Sequence, residues 1–243
     1  MPSFPPWLDT VCRESLILGI LCAAVILVDV RRRPQTMTVM NIVWPLCALF
    51  GTALTLWLYF RYGRYTADRM RRVSVKAVES KGAPPFSVGV ATSTLHCGAG
   101  CTLGDMLAEW LAFFAPSVAI ALGWHSIFEQ KTYAVWVLDF LMAFFFGIAF
   151  QYFAIMRMRK LSAAQRLIAA LKADTLSLTA WQIGMYCLMA ALQLEFFQRR
   201  FAVQAPVDSV EFWAAMQVAM IGGFVTSYPM NWCLIRFGLK ERM

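Results

Sequence analysis

Read from its N-terminus, the chain alternates between long apolar runs and short stretches that carry most of its basic residues. Apolar runs bounded by charge recur near residues 8–30, 38–60, 94–124, 133–156, 173–197 and 210–235. Each reaches the ~20 residues that a helix needs to cross a bilayer. The pattern predicts an all-α fold, a polytopic transmembrane bundle of about six spans, forming one membrane domain over 1–243. Pro45 is an expected kink in the second run, and the third run carries Pro116.

Composition agrees with this pattern. Hydrophobic residues make up 60% and charged residues 15% of the chain, against roughly 45–50% and 25% in soluble domains. A soluble globular domain and a disordered chain are both excluded. The net charge is +8, from 22 Lys and Arg against 14 Asp and Glu. The basic stretches lack the interleaved aromatic residues that bind nucleic acid, so lipid head groups are the expected partner.

Arg31, Arg32 and Arg33 follow the first run as a stop-transfer cluster would, which makes that run a retained span rather than a signal peptide. Counted over alternate loops, with the tail and Arg13, 16 basic residues fall on one side and 6 on the other. The count predicts that both termini are cytoplasmic, although the Arg31–Arg33 cluster opposes it. Seven cysteines, mostly single and inside apolar runs, argue against a disulfide framework.

The third run holds the densest chemistry. Residues 86–124 would be about 58 Å long as one helix, too long for a single crossing. The segment is expected either to protrude or to break around its glycines, where it would line a cavity. Its polar centre runs from Ser93 to Asp105. In a helix, Cys97, Cys101, Asp105 and Glu109 follow one another at four-residue steps down one face, with His96 about 100° away. Two thiols and an imidazole suit a soft metal, copper first and zinc second, with Asp105 as a further ligand.

Transport or handling of that metal is the first function this predicts, and a homo-oligomer is compatible with it. Met185 and Met189, and Met216 and Met220, are spaced i,i+4 and offer weaker onward ligands. A membrane oxidoreductase using the two thiols or the metal is the second reading. A metal-free, proton-coupled transporter of small solutes, built on Asp105, Glu109 and Asp174, is the third. Against all three stands simple packing, with Gly98, Ala99, Gly100 and Gly104 as a close helix contact and the cysteines as filler.

Other polar positions have plainer explanations. Lys172 or Lys240 could pair with the carboxylates at 105 and 109. Asp174 is placed to cap the fifth span, and Asp139 and Glu195 to lie at solvated span ends. The stretch 226–232 is a polar, proline-containing break that could line a cavity. His96 and His125 are 29 residues apart, about 43 Å along one helix, which excludes a bis-histidine haem on that helix. Neither a nucleotide nor a flavin motif occurs.

Three of these stretches resemble the bacterial domain-of-unknown-function family 4396. They are the run from His96 through Cys97 and Cys101 to Asp105, the run from Leu171 to Thr179, and Pro229–Trp232 with Gly238–Lys240. Cys233 departs from the pattern, standing where an aromatic residue is expected. The resemblance implies a membrane architecture and supplies no reaction.

Overall fold

The computed structural model describes residues 4–35, 37–64, 85–158 and 161–241. These form seven helices: α1 (Pro6–Arg32), α2 (Met40–Leu58), α3 (Phe86–Phe114), α4 (Pro116–Ala121), α5 (Lys131–Met158), α6 (Ala163–Phe201) and α7 (Val210–Arg236). Helix α2 runs on through a π-helical turn at Tyr59–Gly63, and α6 contains another at Ala191–Phe197. The chain is thus a helical membrane protein, with five of its helical segments long and apolar enough to cross a bilayer.

Side-chain pairings fix which helix ends lie together. Phe86 of α3 packs on Trp232 of α7, while Trp110 of α3 stacks on Trp213. The Tyr186 hydroxyl of α6 donates to the Trp136 carbonyl of α5, and Ser15 of α1 donates to Gln217 of α7. Arg32, Phe86, Arg166, Arg236 and Lys240 therefore share one end of the bundle. Pro6, Phe114, Lys131 and Val210 share the other.

Helix α2 corrects the expectation of a second crossing. At Thr52 the backbone takes φ 42°, ψ −125°, a conformation strongly disfavoured for a β-branched residue. There the helix turns back on itself. A β-carbon on Gly63 would lie 2.8 Å from the Trp44 ring, whereas 19 residues of straight helix would separate them by about 28 Å. Tyr59 donates to Asp29 near the basic end of α1, and Arg64 pairs with the same carboxylate.

The two arms of this hairpin, about 12 residues or ~18 Å each, penetrate only part-way through a hydrocarbon core of about 30 Å. Its tip lies beside Gly19, the middle residue of α1. Carbonyls released by the reversal find other donors. Gln217 Nε2 reaches the Leu49 carbonyl at 2.6 Å, and Thr55 Oγ1 reaches that of Cys47 at 3.3 Å. Non-helical backbone at membrane depth persists because protein groups satisfy it.

Helix α3 runs unbroken through its glycines, so of the two expected alternatives the break is not found there. It ends instead at Ala115, where Pro116 starts the short α4. Helix α3 therefore covers 86–114, where the apolar run covers 94–124, and is about 43 Å long. Every residue from Ser93 to Thr102 is buried, because α2, α5, α6 and α7 all pack around it.

The glycines set the closest of these approaches. A β-carbon on Gly100 would fall 2.6 Å from the Gly147 Cα, and one on Gly104 only 2.4 Å from the Ala143 nitrogen. On Gly98 it would strike the Trp181 ring at 2.3 Å. These small residues do form a helix-packing face. That tight seam is what places α5 and α6 directly over the polar side chains of α3.

Candidate functional site

Helix α6 begins ten residues earlier than the apolar pattern predicts. Ser162 caps it through a reciprocal box with Gln165, and the helix continues through residue 173 without a break. Asp174 is therefore not a cap. It lies mid-helix, fully buried, and points at the C-terminal tail.

The tail is aimed there by a helix stop. Gly238, at φ 72°, ends α7 in a Schellman motif: its N–H bonds the Ile235 carbonyl and that of Leu239 bonds Leu234. The chain reverses, and Lys240 turns back under the helix end with its side chain wholly buried. Its ammonium forms an ion pair with Asp174 and lies 2.8 Å from Cys97 Sγ. Burial alone would lower the Lys240 pKa, but Asp174 and Cys97 more than offset it and hold the group above its ordinary value.

Around this pair the polar groups interlock. The Cys97 thiol has acceptors in Asp174 Oδ1 at 3.3 Å and the Ser93 carbonyl at 3.4 Å. Ser177 Oγ donates to Cys97 Sγ at 3.2 Å. Asn231 Nδ2 donates to Ser177 Oγ at 2.6 Å and to Ser227 Oγ at 3.0 Å. Ser227 and Asn231 belong to the polar stretch of the last span, which does face the interior. Asp174 Oδ2 and Asn231 Oδ1 have no hydrogen-bond partner among the described residues.

A second cluster lies about two turns along α3. Gln182 Nε2 donates to Asp105 Oδ1 at 2.9 Å, leaving Asp105 Oδ2 and Gln182 Oε1 without partners. Glu109 is buried one turn further on. Asp139 of α5, expected at a solvated end, is instead fully buried within electrostatic range of both, and neither of its oxygens has a partner among the described residues. Lys131 lies near Glu109, its ammonium on the Ala112 carbonyl and over the Trp124 ring. Glu195, by contrast, is exposed and paired with Arg199.

The four-residue row thus divides. Cys97 joins the Lys240–Asp174 cluster, Asp105 and Glu109 join the second, and Cys101 packs between them in the apolar core. Lys240 pairs with Asp174 and not with residue 105 or 109, while Lys172 is exposed. His96 is fully buried and lies against the Phe150 ring. Among the described residues, no three His, Cys, Asp or Glu side chains converge in a way that could hold a metal ion.

All four paired methionines belong to one buried core. Met185 and Met189 are buried in the core. Met216 and Met220 line an apolar cavity of about 280 Å³ with Met106, Phe50 and Trp213.

Lys240, Asp139 and Gln182 are the site residues that sequence reasoning missed or assigned elsewhere. The Gly-Leu-Lys ending after an apolar run was the readable signal for Lys240, since glycine past a helix end reverses the chain. For Asp139 and Gln182 no local signal existed.

No curated protein and no solved structure matches the chain. A family profile does, over residues 88–240, which begins in α3, takes in every member of both clusters and ends on Lys240. The chain therefore belongs to the family described as Domain of unknown function (DUF4396).

Proposed function

We propose that this protein is a proton-coupled membrane transporter of small solutes, with protons carried along α3. The observation that carries this reading is the pair of buried ionisable clusters on that one helix. Cys97 and Glu109, a member of each, are about 18 Å apart along a membrane about 30 Å thick. Ionisable groups inside a membrane are costly and default to proton or ion pathways. Lys240 approaches the row from the basic end and Lys131 from the opposite end. The part-way hairpin α2 adds to the reading, since its Cys47 thiol donates to the Leu95 carbonyl beside the first cluster.

Orientation follows from charge. Among the described residues Arg31, Arg32, Arg33, Arg61, Arg64, Arg166, Lys172, Arg236 and Lys240 lie toward one end. Only Arg13, Lys131, Arg199 and Arg200 lie toward the other. The positive-inside rule makes the first end cytoplasmic. Because α2 returns to the side it entered, residue 6 then faces outward and residue 240 faces the cytoplasm, replacing the expectation of two cytoplasmic ends. The Arg31–Arg33 cluster no longer conflicts. Most of the basic residues between the second and third apolar runs lie outside the described residues. A reporter fluorescent only in the cytoplasm should light when fused after residue 243 and stay dark before residue 1.

A pH jump applied to proteoliposomes on a capacitive sensor tests the proton reading without a known solute. Wild-type protein should give a transient current, and Asp105→Asn should reduce it at least tenfold. An unchanged current in that variant would remove the reading. A second reading, copper transport or handling, is favoured by three buried free thiols, Cys47, Cys97 and Cys101, with Cys97 in electrostatic range of the other two. Against it stands the Lys240 ammonium, a cation already beside Cys97. Stoichiometric copper in the purified protein, lost in Cys97→Ser/Cys101→Ser, would favour metal over protons.

A further inference from the structure

We propose that Asp174, Ser177, Ser227 and Asn231 form a sodium site, and that the Lys240 ammonium is a tethered cation that takes the ion's place at Asp174 in the resting state. The donors are of one chemical kind: a carboxylate, two hydroxyls and an amide, all fully buried. Two of their oxygens, Asp174 Oδ2 and Asn231 Oδ1, have no hydrogen-bond partner among the described residues. Leaving such acceptors buried and unsatisfied is unfavourable by about 1–3 kcal/mol each, so a built pocket that does so is suited to a cation.

Charge and size choose the ion. Only one carboxylate takes part, which balances a single positive charge, whereas calcium sites gather several carboxylates. The Ser177 and Ser227 hydroxyl oxygens are 3.2 Å apart. That spacing fits an ion bound to oxygen at about 2.3–2.6 Å, the range that calcium adopts. Sodium has nearly that radius with half the charge, and potassium is too large. Soft ligation is not required, because all four proposed ligands offer oxygen; Cys97 lies against Asp174, Ser177 and the ammonium.

The exchange needs little movement. Lys240 lies two residues beyond the helix stop at Gly238, so its side chain can withdraw from Asp174 without disturbing α7. The Asn231 amide now donates its NH2 to both hydroxyls. Half a turn about its terminal bond would bring its oxygen into that place and supply a ligand. Asp174 then keeps one positive partner throughout, ammonium in one state and sodium in the other.

The inference rests on the transport reading for the use made of the ion, while sodium binding is measurable without it. Purified protein is unfolded by heat in sodium chloride and in choline chloride at equal ionic strength. Lys240→Met, which vacates the site, should gain about 5–10 °C from sodium at roughly a hundredfold excess over its Kd. Asp174→Asn/Lys240→Met should gain nothing, and potassium should not replace sodium. In the wild type, modification of Lys240 by a membrane-permeable amine reagent, read by mass spectrometry, should rise with sodium and not with choline.

If Lys240→Met does not fold, the labelling decides alone. An equal response to sodium and choline in the measurable assays overturns the site, as does an equal response to potassium. A pH-jump current that is absent while the sodium response persists removes the proton reading and leaves the site. The reverse result removes the site alone.

Discussion

Replacing Lys240 with methionine should destabilise the protein by about 3–5 kcal/mol in the absence of sodium, the usual cost of stranding one member of a buried ion pair. Both side chains have no exposed surface, so solvent screening does not reduce this figure. Asp174→Asn should cost a similar amount, because it leaves the ammonium buried without its counter-charge. The double variant Asp174→Asn/Lys240→Met removes both charges and should recover most of the loss, as apolar replacement of whole buried pairs is often near neutral. Unfolding free energies of the four proteins in detergent form a double-mutant cycle that isolates the coupling. Strictly additive losses would show that the pair does not hold the tail to α6. The pH dependence has a definite sign. A lysine whose folded pKa is raised stabilises fully below its unfolded pKa, and this contribution disappears as pH rises through the raised folded value.

Asp139→Leu should have the opposite effect on stability. Asp139 is fully buried with both oxygens unpartnered among the described residues, and Asp105 and Glu109 add like charge nearby. Removing it therefore breaks no hydrogen bond. It eliminates an unsatisfied polar group worth about 1–3 kcal/mol and puts apolar volume in its place. A gain of about that size in unfolding free energy is expected, together with loss of the pH-jump current. Such a residue lowers stability for the sake of activity, as strained functional sites commonly do. Destabilisation by Asp139→Leu would show that the carboxyl holds the α3–α5 seam together, which would assign it a structural role.

These two variants differ in sign for a reason that no stretch of sequence contains. Asp174 and Asp139 are each single carboxylates in apolar helices, and locally they read alike. What separates them is a lysine 66 residues away that reaches one and not the other. The reading of Asp174 as a cap failed because it set the helix start by apolar periodicity. Ser162 and Gln165 supply the stronger start signal, in a polar stretch ahead of the apolar run. Asp139 departs from the expected solvated end because it lies eight residues inside α5, on a face that another helix covers. The glycine seam of α3 lets α5 approach closely enough to cover it.

The sequence by itself determined that this is a helical membrane protein, because apolar length and the absence of competing polar groups are summed along a chain without reference to its partners. It also singled out the run from His96 to Glu109, since polar residues in such a setting are costly wherever they point. Only the tertiary structure decided which of those residues meet. An i,i+4 row shares one helix face, but successive members of it meet different neighbouring helices, and so Cys97 and Asp105 belong to separate clusters.

The same limit applies to α2. Residues 38–60 have the length and composition of a crossing whether the chain continues or turns back. Both paths bury comparable apolar surface in lipid, so hydropathy cannot distinguish them. The single reversed backbone conformation at Thr52 does.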